Sequence, residues 1–134
     1  MTDFFDDNSR HDLIEYRCRR SKNALKEAEL LFDNGYYNGA VSKLYYAAFY
    51  AASSLMLKYK LKASTHAGIK TMIGLHFVSK NLLSFQAGKT FTTLFEKRQS
   101  SDYEDFAYCD NSTYLELRPL TEQFIDEVET LMNK

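Results

Sequence analysis

Two charged side chains stand where helical periodicity calls for core. Phe91, Leu94 and Phe95 form an apolar stripe, and the same stripe then delivers Arg98 and, four residues on, Asp102. Residues at i and i+4 share a helix face, and a charge on an inward-aimed face costs desolvation unless it is well bonded. A guanidinium oriented by a carboxylate makes an anion clamp. That makes the pair the best site candidate in the chain. Tyr103 follows directly. Its phenol, with an ordinary pKa near 10, is a poor base at neutral pH but can act as an acid, a hydrogen-bond donor or a stacking surface. The other reading of Arg98, Asp102 and Tyr103 is a buried hydrogen-bonded network that ties two helices or two subunits together.

Three histidines add to the inventory. His66 stands in Ser64-Thr65-His66-Ala67-Gly68, in the first turn of an expected helix, where the positive helix end disfavours the imidazolium. His76 falls on an apolar stripe and reads as a core histidine; His11, close to the N-terminus, reads as solvated. No Glu-x-x-His occurs, so the di-iron bundle pattern is absent, as are a P-loop and a GxGxxG. Cys18 and Cys109 form no CxxC pair and have no metal spacing. Neither a metal nor a cofactor is expected.

Net charge is −1 over 134 residues, but it is uneven. Residues 10–70 hold 11 Lys/Arg against 5 Asp/Glu, and residues 71–134 hold 6 against 10. Arg17, Arg19, Arg20, Lys22 and Lys26 gather in one segment. They read either as a solvated helix face or as a phosphate-contacting surface, with Arg17, Arg19 and Arg20 as the binding candidates. The N-terminus is acidic where a signal peptide needs a basic region, and no run approaches 18 apolar residues. The expectation is a cytoplasmic protein with no membrane span.

The elements that must position these groups are helices. One proline and five glycines leave little punctuation for a many-turned β protein, and the long segments are rich in helix formers. A single domain over 1–134 is expected, with residues 1–9 a loose lead-in. The first helix is expected from Asp12 to Asp33, stopped by Asn34-Gly35 with glycine as a left-handed cap. The second runs from Tyr37 to Tyr59 and is apolar around so much of its circumference that it must be central, packed on several neighbours or on a second subunit. A third, capped by Ser64 or Thr65, runs to about Ser79. A fourth begins near Ser84–Gln86 and carries Arg98 and Asp102. Residues 104–111 read as an irregular connection. The fifth starts near Ser112 or Thr113, with Thr113 and Glu116 as a capping box and Pro119 kinking it or resetting its start. The fold class is all-α: an antiparallel up-and-down bundle of four main helices plus a short extra helix.

Three blocks carry a family resemblance: Gly35-Tyr-Tyr-Asn-Gly-Ala-Val-Ser-Lys-Leu-Tyr-Tyr-Ala-Ala-Phe-Tyr-Ala-Ala52, then Thr65-His-Ala-Gly68 with Leu75-His-Phe-Val78, then Leu94-Phe-Glu-Lys-Arg-Gln-Ser-Ser-Asp-Tyr103. In that order and at those separations they resemble the HEPN domain, over about residues 10–132. The resemblance implies an up-and-down helical bundle that is usually a homodimer. Many members are toxins that cleave RNA without metal, and many are encoded beside a minimal nucleotidyltransferase that acts as antitoxin. The family's ribonuclease motif is an arginine, four to six residues, then a histidine. Arg98 matches the arginine; Tyr103 stands at the first histidine position, and no histidine occupies any allowed one. The expectation is therefore a nucleotide- or RNA-binding protein of a toxin–antitoxin or defence system with a degenerate motif. The alternatives are an active metal-independent ribonuclease using Arg98 with Tyr103 or His66, and a non-enzymatic helical interaction module. The expected partners are a second copy of the chain, a nucleotidyltransferase protein, and RNA or a nucleotide.

Overall fold

Helix starts and stops are written in local capping chemistry. Asp6 accepts a hydrogen bond from the Ser9 amide at 2.7 Å and caps α1, Asp7–Asp33. In this computed structural model, residues 6–63, 65–103 and 109–134 are described, without the side chains of 100–103. The helix thus begins five residues before the expected Asp12, so residues 7–9 belong to it and not to a lead-in. The reason is tertiary as well as local: Arg10 is buried and donates to the Leu57 carbonyl at 3.1 Å, a cation at the C-terminal end of the next helix. At the other end, Gly35 has φ +83°, and Tyr36 and Gly35 donate to the carbonyls of Leu31 and Phe32 at 2.8 and 3.0 Å. This is a Schellman turn, and it needs the glycine at that position.

The chain reverses there into α2, Tyr37–Lys58. Ser21 donates to the Ala47 carbonyl at 2.7 Å and Arg20 to the Tyr50 hydroxyl at 3.0 Å, so α1 and α2 run antiparallel. Thr65 caps α3, His66–Met72, by accepting from the Gly68 amide at 2.9 Å. A π-helical turn, Ile73–Val78, continues it and buries Ile73 and Phe77. The wider turn leaves His76 only half-buried and Leu75 exposed, so His76 is not the core histidine the stripe implied. α4, Phe85–Tyr103, returns antiparallel to α2. α5, Asn111–Met132, runs antiparallel to α4: Phe91 packs on Phe124 at 5.6 Å, and Ser84 bonds to Glu127.

Two expectations about α5 are corrected. Its cap is Asp110, which accepts from the Thr113 amide at 2.9 Å, and not a Thr113–Glu116 box. The helix also runs unbroken through Pro119. The lost N–H would have met the Leu115 carbonyl, and both residues are solvent-exposed, where water can take its place. Of the connection expected at 104–111, residues 104–108 lie outside the described residues.

The result is an all-α, up-down-up-down bundle of α1, α2, α4 and α5, with α3 and its π turn as the extra element. No strand occurs among the described residues. α2 is central: α1, α3, α4 and α5 all pack on it, and twelve of its residues, among them Val41, Leu44, Tyr45 and Leu55, are buried. Four neighbours within the chain therefore meet the apolar circumference of α2.

α4 reaches the π turn closely enough to need a glycine. A Cβ on Gly88 would lie 2.8 Å from Val78 Cγ2. Gly88→Ala should therefore cost about 1–3 kcal/mol in overpacking, against about 1 kcal/mol gained in helix propensity. Chemical denaturation should show Gly88→Ala destabilising in the wild-type background and stabilising in a Val78→Ala background. The same sign in both would mean that the close approach does not matter.

Candidate functional site

Consecutive aromatics on α2 build the floor of the site. Tyr45 is fully buried, while Tyr46, Phe49 and Tyr50 are half-buried. A buried phenol needs a hydrogen-bond partner, and Tyr45 Oη finds His66 Nδ1 at 2.7 Å. The His66 ring stacks on Phe49, with centroids 4.3 Å apart and planes 18° from parallel, and meets the Tyr46 ring edge-on at 6.2 Å. The Thr65 cap fixes the backbone from which His66 projects.

The opposite wall comes from α4. Arg98 donates to the Tyr46 hydroxyl at 3.0 Å, and its guanidinium carbon lies 5.5 Å from the Tyr46 ring centroid and 5.9 Å from that of Tyr45. One turn earlier, Phe95 packs on Tyr45, and Lys70 of α3 sits 4.9 Å from the Phe95 ring. Arg98 and His66, 32 positions apart in the sequence, are thus gathered on one Tyr45–Tyr46 pair. Cation–π contacts at such distances are worth about 0.5–1 kcal/mol each when partly exposed.

The electrostatics follow from this packing. Burial, and then the Arg98 guanidinium, hold the His66 imidazole below its ordinary 6.5. Burial pushes the Tyr45 phenol far up, against a smaller opposing pull from Arg98. At neutral pH the pair is therefore a neutral phenol bonded to a neutral imidazole, beside a permanent cation. This arrangement can hold a phosphate through Arg98 and a base through the aromatic faces.

The other sequence candidates separate. Arg17 bonds to Ser53 Oγ and Arg20 to the Tyr50 hydroxyl, so both face the aromatic side of α2. Arg19 lies elsewhere, in a cavity of about 790 Å³ between α1 and α5 with Lys22, Lys58 and Glu129. Asp102 and Tyr103 belong to α4, but their side chains are outside the described residues, as is any Arg98–Asp102 pair. His11 is exposed, 3.2 Å from Glu15. Reading single residues missed Tyr46, Phe49 and Lys70; the signal was there, since the Tyr45-Tyr46…Phe49-Tyr50 spacing puts four rings on adjoining helix faces. Among the described residues, no group of His, Cys, Asp and Glu could hold a metal ion, and no helix is long and apolar enough to cross a membrane.

Comparison with known proteins agrees with this architecture. The family model of the HEPN domain matches residues 14–131, and the chain belongs to that family. A UPF0332 protein of Thermotoga maritima is 31% identical over 93% of this chain and 95% of its own length. The Methanocaldococcus jannaschii protein named "Putative toxin MJ0605" is 31% identical over 82% of this chain and 81% of its own. A UPF0332 protein of Archaeoglobus fulgidus is 26% identical over 92% and 98%.

Because folding depresses the His66 pKa, the neutral form is the one the fold favours. The associated stability is complete above the unfolded value near 6.5 and is lost as pH falls through the folded value. NMR titration should place the His66 midpoint below 6.5, and Arg98→Met should raise it part of the way back, since burial remains. A midpoint insensitive to Arg98→Met would separate the two groups.

Proposed function

We propose that this HEPN protein binds RNA at the Arg98–His66–Tyr46 cluster and acts within a toxin–antitoxin or defence system. The observation that carries the reading is the convergence of a guanidinium and an imidazole on one aromatic pair. Arg98 supplies charge for a phosphate, and the half-buried rings of Tyr46 and Phe49 supply stacking area, the combination by which proteins hold unpaired nucleotides. Family membership and a relative named as a toxin support the biological setting. The reading includes a homodimer and a nucleotidyltransferase partner, both resting on the family resemblance.

A second reading is favoured by one observation. His66 is a neutral imidazole beside Arg98, so metal-independent cleavage has both a base and a cation for the pentavalent transition state within one site. Its requirement is specific: Tyr45 must accept from His66 Nδ1–H, leaving a lone pair on Nε2. If Tyr45 instead donates to Nδ1, Nε2 carries the hydrogen and His66 is a donor to phosphate. Phenols are better donors than acceptors and imidazole nitrogen is a strong acceptor, which favours the second tautomer and, with it, binding.

The test is single-stranded RNA incubated in EDTA with wild type, Arg98→Gln and His66→Gln, all checked for helical content, with binding followed by anisotropy. Losing a charge-assisted contact should weaken binding about 10- to 100-fold in Arg98→Gln. Cleavage that disappears in His66→Gln while binding persists would establish the ribonuclease reading. Equal RNA binding by wild type and Arg98→Gln would defeat the proposal and leave a helical interaction module.

A further inference from the structure

The binding reading leaves a groove of about 460 Å³ unexplained. It lies between α1, α2 and the start of α3, and its walls include Tyr16, Arg17, Arg20, Tyr50 and Ser53. Phe49 also lines it, and the same ring stacks on His66. The groove and the Arg98–His66 cluster therefore share a wall. Tyr50 makes a second link, with its ring 6.3 Å from that of Tyr46.

No carboxylate pairs directly with the arginines of this groove among the described residues. Arg17 bonds to the Ser53 hydroxyl and Arg20 to the Tyr50 hydroxyl, with the Arg20 guanidinium 5.0 Å from the Tyr50 ring centroid. Among the described residues neither arginine forms an ion pair, and no carboxylate lines the groove. Cations nearby are treated otherwise: Lys22 pairs with Glu129 at 2.8 Å and Lys43 with Glu27 at 3.1 Å. Two arginines bonded to hydroxyls, beside aromatic rings and with Glu27 acting on Arg20 only at a distance, keep donors for an anion. A guanidinium with donors to spare is suited to phosphate oxygens.

We infer that the Arg17–Arg20–Tyr50 groove is a second subsite for single-stranded RNA, holding the backbone phosphate and base of a nucleotide that flanks the one at Arg98–His66. The inference rests on the RNA-binding reading and extends it. An unpaired strand fits better than a duplex because Tyr16, Phe49 and Tyr50 offer ring faces to unstacked bases, while a duplex presents none. Arg17 and Arg20 act as the phosphate contacts, and Tyr50 both orients Arg20 and offers a stacking face.

The experiment measures anisotropy with wild type, Arg17→Gln/Arg20→Gln and Arg98→Gln, against a short single-stranded RNA oligomer, a mononucleotide and an RNA duplex, over a range of salt. Arg20→Gln alone, at an exposed position, serves as the variant least able to disturb folding. The expected result is that the double variant binds the oligomer at least about ten-fold more weakly and lowers the salt slope by roughly 0.7, the value for one backbone phosphate on a single strand. Mononucleotide binding should be unchanged in it and lost in Arg98→Gln. Wild-type oligomer binding and slope in the double variant, with Arg98→Gln impaired, would overturn the subsite and leave the primary reading standing. Equal losses on duplex and single strand would overturn it as well, marking a general polyanion surface. Failure of wild type to bind any of the three would remove both.

Discussion

The site depends on the hydrogen bond between Tyr45 and His66. Tyr45 is fully buried at the centre of α2, and an unpaired phenol there would cost a few kcal/mol. From α4 the rings of Phe91 and Phe95 face Tyr45 and offer its hydroxyl no acceptor. The partner comes from the first residue of α3, which the Thr65 cap and the Phe49 stack hold in place. Satisfying one core hydroxyl therefore fixes the position of α3, and α3 in turn carries Lys70 to Phe95. Arg98 then closes the cluster from α4 through the neighbouring Tyr46. Folding requirement and candidate chemistry use the same atoms, so a change at Tyr45 or His66 must be read for stability before it is read for activity.

Seen as charge, the molecule has two sides. On one, basic residues are neutralised by carboxylates: Lys22 by Glu129, Lys43 by Glu27, and Arg118 by Glu122 with Glu29 beyond it. Exposed pairs of this kind are worth little in stability, but they remove the attraction of those cations for other anions. On the other side, Arg17, Arg20, Arg98 and Lys70 meet hydroxyls and aromatic rings. The excess of basic residues in the first half of the sequence thus has a definite outlet. Part of it stands where rings accompany it, while Lys22 and Lys43 are held by carboxylates.

The helices were legible in the sequence because their signals are local. Gly35 ends α1 and Thr65 begins α3 through bonds between residues three to five apart. Errors arose where a distant partner decided the outcome. Arg10 draws the start of α1 toward Leu57, and Pro119 is tolerated because its side of α5 faces water. The central position of α2 was legible from its apolar circumference, and its four helical neighbours within the chain pack on it as that pattern requires. For the site, Arg98 stood out as a charge on an apolar stripe. The aromatic partners did not, because a tyrosine on a core helix looks the same whether or not an arginine lies beside it. Arg19 looked equivalent to Arg17 and Arg20 by composition, yet it faces a different cavity, since one residue along a helix is a rotation of about 100°.

The geometry of His66 has a consequence for the chemistry it can do. The imidazole this chain brings to Arg98 comes from α3, and its Nδ1 is already committed to Tyr45. The other ring nitrogen then takes its proton state from that bond. A phenol is a better donor than acceptor, which favours the tautomer with the hydrogen on Nε2. In that tautomer Nε2 is a donor and has no lone pair with which to act as a base. The side of the Tyr45–His66 bond that carries the hydrogen thus divides a donor role for His66 from a basic one. Cleavage would require Tyr45 to reverse its bond inside a packed core, whereas binding leaves that bond as it stands.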